Sequence, residues 1–218
     1  MFRNRGELLV DRRKRKTLQA IQDACFELLQ QKSFDELTIS DISEKADISR
    51  GTFYLHYVDK FDMLDQFEQQ LVDKIKLIFE THLKDVNSPI DLLKSRYPTF
   101  IQLFTCLKEE QTLFQIIQQT KGALSFQTEL TKVLQNVFHQ SPSSQIIGQV
   151  KYLPPQFFIP ILVSMITGAT QLWLNQAEDY TPEQLAKGIL NIMINGPARA
   201  AGWLPGEVID IDKFLDEK

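Results

Sequence analysis

The sequence predicts an all-α protein. Apolar residues recur three and four positions apart along most of its 218 residues, as in Leu18, Ile21, Cys25 and Leu28, and this spacing places them on one face of a helix. No segment alternates apolar and polar residues between hairpin turns, as a half-buried strand would. Helix start and stop signals punctuate the chain, and we expect about nine helices.

Two helices are predicted at the N-terminus. The first runs over residues 12–31, with Asp11 as its N-cap. The second begins at Thr38, where Thr38 and Asp41 have a variant of the capping-box spacing.

A third, shorter helix is predicted to begin at Ser49. Asp47 lies in the turn before it, and Asp tolerates the left-handed backbone that such a turn can need. Ser49 can cap the helix by accepting a hydrogen bond from the amide of Thr52. Phe53 and Tyr57 are one helical turn apart and should face inward. Three short helices with this turn form a helix-turn-helix domain.

The remaining helices follow recognisable signals. The fourth helix begins near Lys60 and ends before Asn87-Ser88-Pro89. Four more are predicted over residues 90–109, 112–120, 125–139 and 156–175. The breaks between them are marked by Gly122, Ser141-Pro142 and Leu153-Pro154-Pro155. The last begins with Thr181-Pro182-Glu183-Gln184 and stops at Asn195-Gly196-Pro197. For the tail after Gly202 the pattern makes no prediction.

Charge is distributed unevenly. The net charge is −4, but the first 16 residues carry +5 and the rest of the chain carries −9. A basic end on an acidic body attracts phosphate locally; the alternative is a solvated tail. The two cysteines, Cys25 and Cys106, have no metal or disulfide spacing, which suits a reducing cytoplasm. Cys106 is either a redox sensor or a buried, inert thiol, and the second reading is favoured.

One segment raises the question of a membrane. Residues 152–177 carry no formal charge, yet they include three prolines and several Gln and Asn residues. A span needs about 20 predominantly apolar residues. We expect a buried helix here, no membrane contact and a cytoplasmic protein.

The exposed face of the third helix carries side chains suited to DNA. An α-helix fits the major groove, and the first residues of a recognition helix meet base edges. Arg50 can pair with a guanine, Thr52 can contact a base or a thymine methyl, and Gly51 allows close approach of the backbone. Tyr54 and His56 offer donors toward phosphates.

Each of these residues also has an ordinary reading. Tyr54 alone could be a partly buried core residue, His56 a surface histidine and Arg50 a solvated charge. Thr38 and Lys60 lie at the starts of two helices, where backbone amides and the helix dipole favour an anion. The combination, rather than any single residue, favours DNA binding.

Residues 12–70 resemble the N-terminal domain of the TetR/AcrR family of transcriptional regulators. The matching pieces are Leu37-Thr38-Ile39, Asp41-Ile42, Lys45-Ala46, Ile48 to Tyr54, His56-Tyr57 and Asp59-Lys60 followed by Leu64. Ser43 stands where Ala is common and Asp47 where Gly is common. The resemblance implies a homodimer that reads two half-sites of double-stranded DNA. It places at the DNA Ser49, Arg50, Gly51, Thr52, Tyr54, His56 and Lys60, with Thr38 on the backbone.

Two domains are therefore expected: residues 1–60, a basic arm with the helix-turn-helix, and residues 61–218, a helical domain for effector binding and dimerisation. The helices near 156–175 and after Thr181 are apolar on nearly every side, and in TetR-like regulators the last two long helices usually form the dimer interface. The alternative is an intrachain core. The residues predicted at this interface are Phe158, Leu162, Ile166, Trp173, Leu185, Ile189 and Met193.

The middle helices are rich in aromatic residues that could line a pocket for an apolar or aromatic effector. The ordinary reading of such residues is packed core. The candidates are Tyr97, Phe100, Phe104, Phe114, Gln118, Phe126 and Leu130, with Gln127 and His139 as further polar groups. The family precedent implies that an effector shifts the spacing of the two recognition helices.

An enzyme is not expected. The three histidines are scattered, and HExxH, GxSxG and a phosphate-binding glycine loop are missing from the sequence. No cofactor or metal is predicted. We expect a repressor released from a palindromic operator by a small molecule. The alternative is an activator or adaptor that acts through a protein partner.

Overall fold

The computed structural model describes residues 5–83, 88–121, 123–140, 154–175, 180–202 and 209–216. Every regular element in these ranges is a helix, so the predicted all-α class is confirmed. The chain divides into two compact units, Met1–Gln69 and Gln70–Lys218. The predicted domain boundary between residues 60 and 61 stays a prediction.

The N-terminal unit contains three helices and the start of a fourth: α1 (Arg5–Leu29), α2 (Ile39–Lys45), α3 (Arg50–Tyr54) and α4 (Lys60–Leu83). The first prediction placed the start of α1 too late. Asp11 lies inside the helix and is not its N-cap. The segment that follows Gly6 contains Leu, Glu, Arg and Lys, which favour helix, and no proline, so nothing in it stops the helix from starting earlier.

A small apolar core holds this unit together. Ile21 from α1, Ile42 from α2 and Phe53 from α3 are fully buried. Tyr57 packs with its ring 6.0 Å from that of Phe67 on α4. Cys25 is buried in the same core, and this burial raises the pKa of its thiol to about 12, so it is inert at neutral pH.

The C-terminal unit contains the rest of α4 and six further helices among the described residues. They are α5 (Pro89–Glu109), α6 (Gln111–Lys121), α7 (Ala123–Gln140), α8 (Pro155–Asn175), α9 (Pro182–Ala200) and α10 (Ile211–Asp216). The predicted helices match α5 to α8 within one or two residues, and α10 was not predicted. The predicted breaks at Asn87, Gly122, Ser141-Pro142 and Leu153 lie outside the described residues.

Helix α9 begins as the sequence predicts and ends later. The Thr181 side chain accepts from the amide of Gln184, and the Gln184 side chain accepts from the amide of Thr181, which completes the capping box. Gly196 adopts φ 72° and ψ 157°, a conformation open essentially to glycine alone. It interrupts the helix as expected. Pro197 then begins one further turn that runs to Ala200, so the predicted stop is a kink.

Helix α8 is the most apolar helix described. Over Gln156–Asn175 it is long and apolar enough to cross a membrane by length and composition, with a mean hydropathy of 1.7. One side of it, which includes Ile159, Val163 and Ile166, is buried against the rest of its unit. The other side is exposed at Phe157, Ile161 and Leu172.

Candidate nucleic-acid interface

Helix α2 begins with a closed set of hydrogen bonds. The hydroxyl and the amide of Thr38 both donate to the Asp41 carboxylate, at 2.7 and 2.9 Å, and the Asp41 amide donates to the Thr38 hydroxyl. Thr38 is exposed, but its one hydroxyl proton is already used. A DNA phosphate could contact this hydroxyl as a donor only by replacing Asp41.

The turn between α2 and α3 depends on one residue with a left-handed backbone. Asp47 has φ 53°, which confirms the expected conformation. The Ile48 amide then donates to the Ser43 carbonyl oxygen at 3.0 Å, which closes the turn. Ser43 itself is buried, and its hydroxyl has no hydrogen-bond partner within the described ranges.

Helix α3 is capped as predicted. The Ser49 hydroxyl oxygen accepts from the Thr52 amide at 3.0 Å and lies 2.9 Å from the Thr52 hydroxyl. This local bonding holds both side chains in place at the start of the helix. The two hydroxyls can exchange donor and acceptor roles, so together they can still contact a base or a phosphate.

Two aromatic side chains set the orientation of α3. Phe53 and Tyr57 are 0 % and 2 % exposed, and their ring centres are 5.4 Å apart. Burial, more than the nearby Asp62, raises the pKa of Tyr57 to about 12. With this face fixed inward, Arg50 and Tyr54 are exposed, and Tyr54 keeps 55 % of its accessible surface.

The other predicted residues of α3 lie at the same surface. Gly51 is exposed, and a Cβ built on it would meet only the Ser49 hydroxyl oxygen, at an ordinary 3.6 Å. The fold therefore does not require glycine at this position. Thr52 and His56 are half-buried. We call the exposed side of Ser49, Arg50, Gly51, Thr52, Tyr54 and His56 the recognition surface.

Lys60 has a different environment from the one expected. Its ammonium donates to the carbonyl oxygens of Phe34, Asp35 and Leu37, at 2.9, 2.8 and 2.9 Å. An ammonium has three donors, and all three are used inside the protein. The amides of Phe61 and Asp62 also donate to the Asp59 carboxylate, so the protein itself caps the start of α4. The phosphate contact predicted for Lys60 stays a prediction. In this arrangement the three ammonium donors already bind carbonyl oxygens and are not available to a phosphate.

Sequence patterns did not single out two apolar residues at this surface. Leu55 and Val58 are 81 % and 78 % exposed, the largest fractions among the exposed large hydrophobic side chains. The exposure of Leu55 could have been predicted from the helical phase, because Leu55 falls about 200° around the helix from the buried Phe53. Val58 lies beyond the end of α3, where this phase gives no signal. Apolar side chains at a groove can contact thymine methyl groups.

Basic residues of α1 belong to the same unit. Residues 12–16, Arg-Arg-Lys-Arg-Lys, are all exposed on the helix. The predicted basic arm is therefore helical from Arg5 onward, and its basic side chains at residues 12–16 are in solvent. The side chains of residues 1–11 lie outside the described part.

Most of the predicted effector residues are packed in the core of the C-terminal unit. Phe100, Phe104, Phe126 and Leu130 are at most 3 % exposed, and Phe114 packs edge to face on Phe126 with ring centres 5.5 Å apart. Tyr97 is half-buried. The ordinary reading, that of packed core, describes these aromatic residues better than a pocket lining does.

Phe114 and Gln118 do line a pocket, of about 120 Å³. Its walls are mostly amides: Gln115, Gln118, Gln119, Gln171 and Asn175, with Phe114 and Leu174. The side-chain oxygen of Gln118 is buried there without a partner. The pocket is more polar than the apolar or aromatic effector expected from the sequence would require.

The residues predicted at the dimer interface lie mostly inside the protomer. Leu162, Ile166 and Ile189 are at most 4 % exposed, and Trp173, 9 % exposed, donates through its indole N–H to the Tyr180 carbonyl oxygen. The remaining three residues, Phe158, Leu185 and Met193, are half-buried. Because α8 is apolar all round, its sequence does not distinguish the side that packs in the core from the exposed side.

Two family models match the chain, one in each part. Residues 21–67 match the model of bacterial regulatory proteins of the tetR family. Residues 94–195 match a model of a C-terminal region of transcriptional regulators, TetR_C_8. The first match contains the whole recognition surface.

A curated protein is similar to most of the chain. The chain is 24 % identical over 188 residues to YxbF, an HTH-type transcriptional regulator of Bacillus subtilis. The match covers 86 % of this chain and 47 % of YxbF, so the chain spans about half the length of that relative.

Solved structures share the fold. The fatty acid degradation regulator FadR from Bacillus halodurans has a TM-score of 0.63 at 15 % identity, over 83 % of this chain and 96 % of that one. SmeT, the repressor of the Stenotrophomonas maltophilia multidrug efflux pump SmeDEF, has a TM-score of 0.61 at 17 % identity, over 89 % and 98 %. The two family models, over residues 21–67 and 94–195, show that the chain belongs to the TetR family of transcriptional regulators.

Proposed function

We propose that this protein binds a palindromic operator as a homodimer and represses transcription until a small molecule releases it. The observation that supports operator binding is the orientation of α3. Buried Phe53 and Tyr57 hold the helix so that Arg50 and Tyr54 extend into solvent. Two such helices, about one turn of DNA apart, would read two half-sites. The protein would act in the cytoplasm and catalyse no reaction.

A double variant tests the recognition surface. Operator sequences are first selected from a random duplex library with the wild-type protein. Arg50→Ala with Tyr54→Ala should then lower the operator affinity at least roughly 100-fold, because each lost base or phosphate contact contributes about 1–3 kcal/mol. Arg199→Ala with Tyr180→Ala is the matched control. These residues are also exposed but lie in the other unit.

The outcome separates two functions. Loss in the double variant, with an unchanged control, supports DNA recognition by α3. Unchanged selective binding in the double variant would instead favour the adaptor reading, in which the helix-turn-helix contacts a protein.

Gly51 allows a sharper test, because its role in the fold and its role at DNA predict opposite effects. Gly51→Ala removes a poor helix former from α3 and meets no steric obstacle within the protein. The variant should be as stable as the wild type or more stable. If the α3 backbone approaches the DNA closely, the added methyl group should still weaken operator binding. Full affinity in a stable Gly51→Ala protein would show that the approach is not close.

The dimer would use the apolar face of α8 that its own unit leaves uncovered. Phe157, Ile161 and Leu172 are each more than half exposed and lie on one side of the helix, and α9 adds Ile192. Family members typically dimerise, and a second copy can cover such a face symmetrically. Ile161→Glu with Leu172→Glu should give a monomer in analytical ultracentrifugation. Leu77→Glu, at a residue 63 % exposed on α4, is the control. A wild-type monomer at micromolar concentration would count against the dimer.

Repression rather than activation of transcription, and release by a small-molecule effector, are also proposals. Repression is supported by solved relatives that share the fold, since SmeT is named as a repressor. A reporter gene placed behind the selected operator should be silenced by the wild type and released by Arg50→Ala with Tyr54→Ala. Reporter expression that rises with the wild-type protein would make it an activator.

A further inference from the structure

Helix α5 buries an arginine for which the described residues provide no acidic partner. Arg96 is 2 % exposed. Among the residues that the structure describes, no carboxylate lies within ion-pair distance of it. A buried charge is ordinarily paired, because moving an ion out of water costs several kcal/mol.

The hydrogen bonds of Arg96 use only part of its guanidinium. Its Nε donates to the Leu92 carbonyl oxygen at 3.1 Å, and its Nη2 is 3.5 Å from the Ser95 hydroxyl oxygen, at the limit for a hydrogen bond. Its Nη1 is buried and has no hydrogen-bond partner in the part of the chain that the structure describes. A guanidinium has five N–H donors, so at least three remain unused.

Two aromatic rings partly replace the missing anion. The centre of the guanidinium lies 5.3 Å from the ring centre of Phe138 and 5.9 Å from that of Phe79. Such cation–π contacts stabilise the charge but leave the N–H donors unsatisfied. Burial lowers the pKa of Arg96 to about 10, so the side chain is still charged at neutral pH.

The guanidinium lines a small pocket among four helices of the C-terminal unit. The pocket has a volume of about 30 Å³. Apart from Arg96 its walls are apolar: Leu92, Leu93, Phe138, Phe158, Leu162 and Met193. A volume of this size holds about two water molecules or one carboxylate group. Phe158 and Met193 are half-buried, so the pocket lies close to the surface, and its outer wall includes the unbranched, flexible side chain of a methionine.

We propose that this pocket binds a carboxylic acid with an apolar body, with its carboxylate on Nη1 and Nη2 of Arg96. The planar guanidinium matches a carboxylate through two parallel hydrogen bonds. The wall of the pocket carries one positive charge, that of Arg96, which balances a monoanion. A phosphate dianion would leave one negative charge buried and unbalanced. The apolar body displaces Phe158 and Met193 outward and lies along Leu162.

This site identifies the chemical class of the proposed effector as a carboxylic acid. The assignment of the acid as an effector rests on the proposed function. Phe158 and Leu162 belong to α8, the helix whose exposed side is the proposed dimer surface. Displacement of Phe158 by the acid therefore acts on the helix that sets the spacing between subunits. An acid that binds one spacing better than the other shifts the equilibrium between them.

The test compares two carboxylic acids with a neutral alcohol that has the same number of carbon atoms as one of them. Binding of octanoate, phenylacetate and the neutral 1-octanol to the full chain is measured by calorimetry and thermal shift, without DNA. At least one acid should bind and raise the melting temperature, and 1-octanol should bind more weakly by roughly 10- to 100-fold. Binding of neither acid, or equal binding of 1-octanol and octanoate, overturns the proposal. This comparison needs no variant.

Variants then test whether Arg96 supplies the positive charge that binds the acid. Arg96→Met fills the same space without a cation and should lose the preference for the acid, while Arg96→Lys should keep part of it. Arg199→Met, at an exposed arginine of the same unit, should bind like the wild type. If folded Arg96→Met binds the acid as tightly as the wild type, the site lies elsewhere. Operator binding is measured separately, so acid binding without operator binding would contradict only the proposed function.

Discussion

The Lys60 ammonium lies 2.9 Å from the Phe34 carbonyl oxygen and 5.1 Å from the centre of the Phe34 ring. Lys60 begins α4, and Phe34 is buried in the loop between α1 and α2. One side chain therefore fastens that loop to the start of α4, next to the recognition surface. This contact indicates that Lys60 stabilises the DNA-binding unit, whether or not DNA contacts Lys60.

Lys60→Met should lower the free energy of unfolding of the N-terminal unit by about 2 kcal/mol, because three carbonyl oxygens lose a charged donor. Urea-induced unfolding, followed by NMR resonances of this unit, measures the change. Lys16→Met, at an exposed lysine of α1, should leave stability within about 0.5 kcal/mol of the wild type. If Lys60→Met is fully stable and loses only operator affinity, Lys60 is a phosphate contact and the supporting role is wrong.

Local signals predicted local structure well. The caps of α2, α3 and α9 each join two residues three positions apart, and the left-handed backbone of Asp47 belongs to one residue. The sequence around each position is therefore enough to specify these features. The role of Lys60 depends on carbonyl groups more than 20 residues earlier, which no periodicity shows.

Two other features required the tertiary structure. The exposed face of α8 could not be told from its buried face, because both are apolar. Nothing in the spacing of Arg96 distinguishes it from a solvated arginine, since burial of a charge is decided by the helices that pack around it. The recognition surface was predictable because Phe53 and Tyr57 mark the inner face of a helix with polar residues opposite.

Asp47 should be replaceable by glycine with a gain in stability. Its φ of 53° places a side chain in the left-handed region, which costs a non-glycine residue about 1–2 kcal/mol. We expect Asp47→Gly to be more stable than Asp47→Ala by about 1 kcal/mol, with the wild type between them. Urea-induced unfolding of the three proteins gives the order. A more stable Asp47→Ala would show that the backbone carries no strain at this turn.

Ser43→Ala should stabilise the same unit by about 1 kcal/mol. The Ser43 side chain is 3 % exposed and its hydroxyl finds no hydrogen-bond partner among the described residues, so the folded state contains an unsatisfied polar group that alanine removes. Ser40→Ala is the matched control, because Ser40 lies on the same helix, is half-buried and gains the same helix propensity. Equal effects of the two substitutions would mean that burial of the Ser43 hydroxyl carries no penalty.

The cap of α2 should weaken in acid. The hydrogen bond from Lys32, whose Nζ is 2.6 Å from the Asp41 carboxylate, and those from Thr38 lower the pKa of Asp41 to about 2 from its ordinary 3.8. A carboxyl group with a lowered folded-state pKa stabilises the fold above its unfolded-state pKa. That contribution is fully present above pH 4 and is lost as the pH falls through about 2. Protonation also weakens the hydrogen bonds from the Thr38 hydroxyl and amide, because a neutral carboxyl group is a poorer acceptor than a carboxylate.

Asp41→Asn should therefore be less stable than the wild type at pH 7, and the difference should shrink as the pH falls from 4 to 2. Unfolding followed by the NMR resonances of α2 measures both proteins at each pH. Asp35→Asn is the control, since the Asp35 carboxylate is exposed and accepts no hydrogen bond among the described residues, and it should follow the wild type throughout. A difference between Asp41→Asn and the wild type that stays constant down to pH 2 would mean that the carboxylate charge does not stabilise α2.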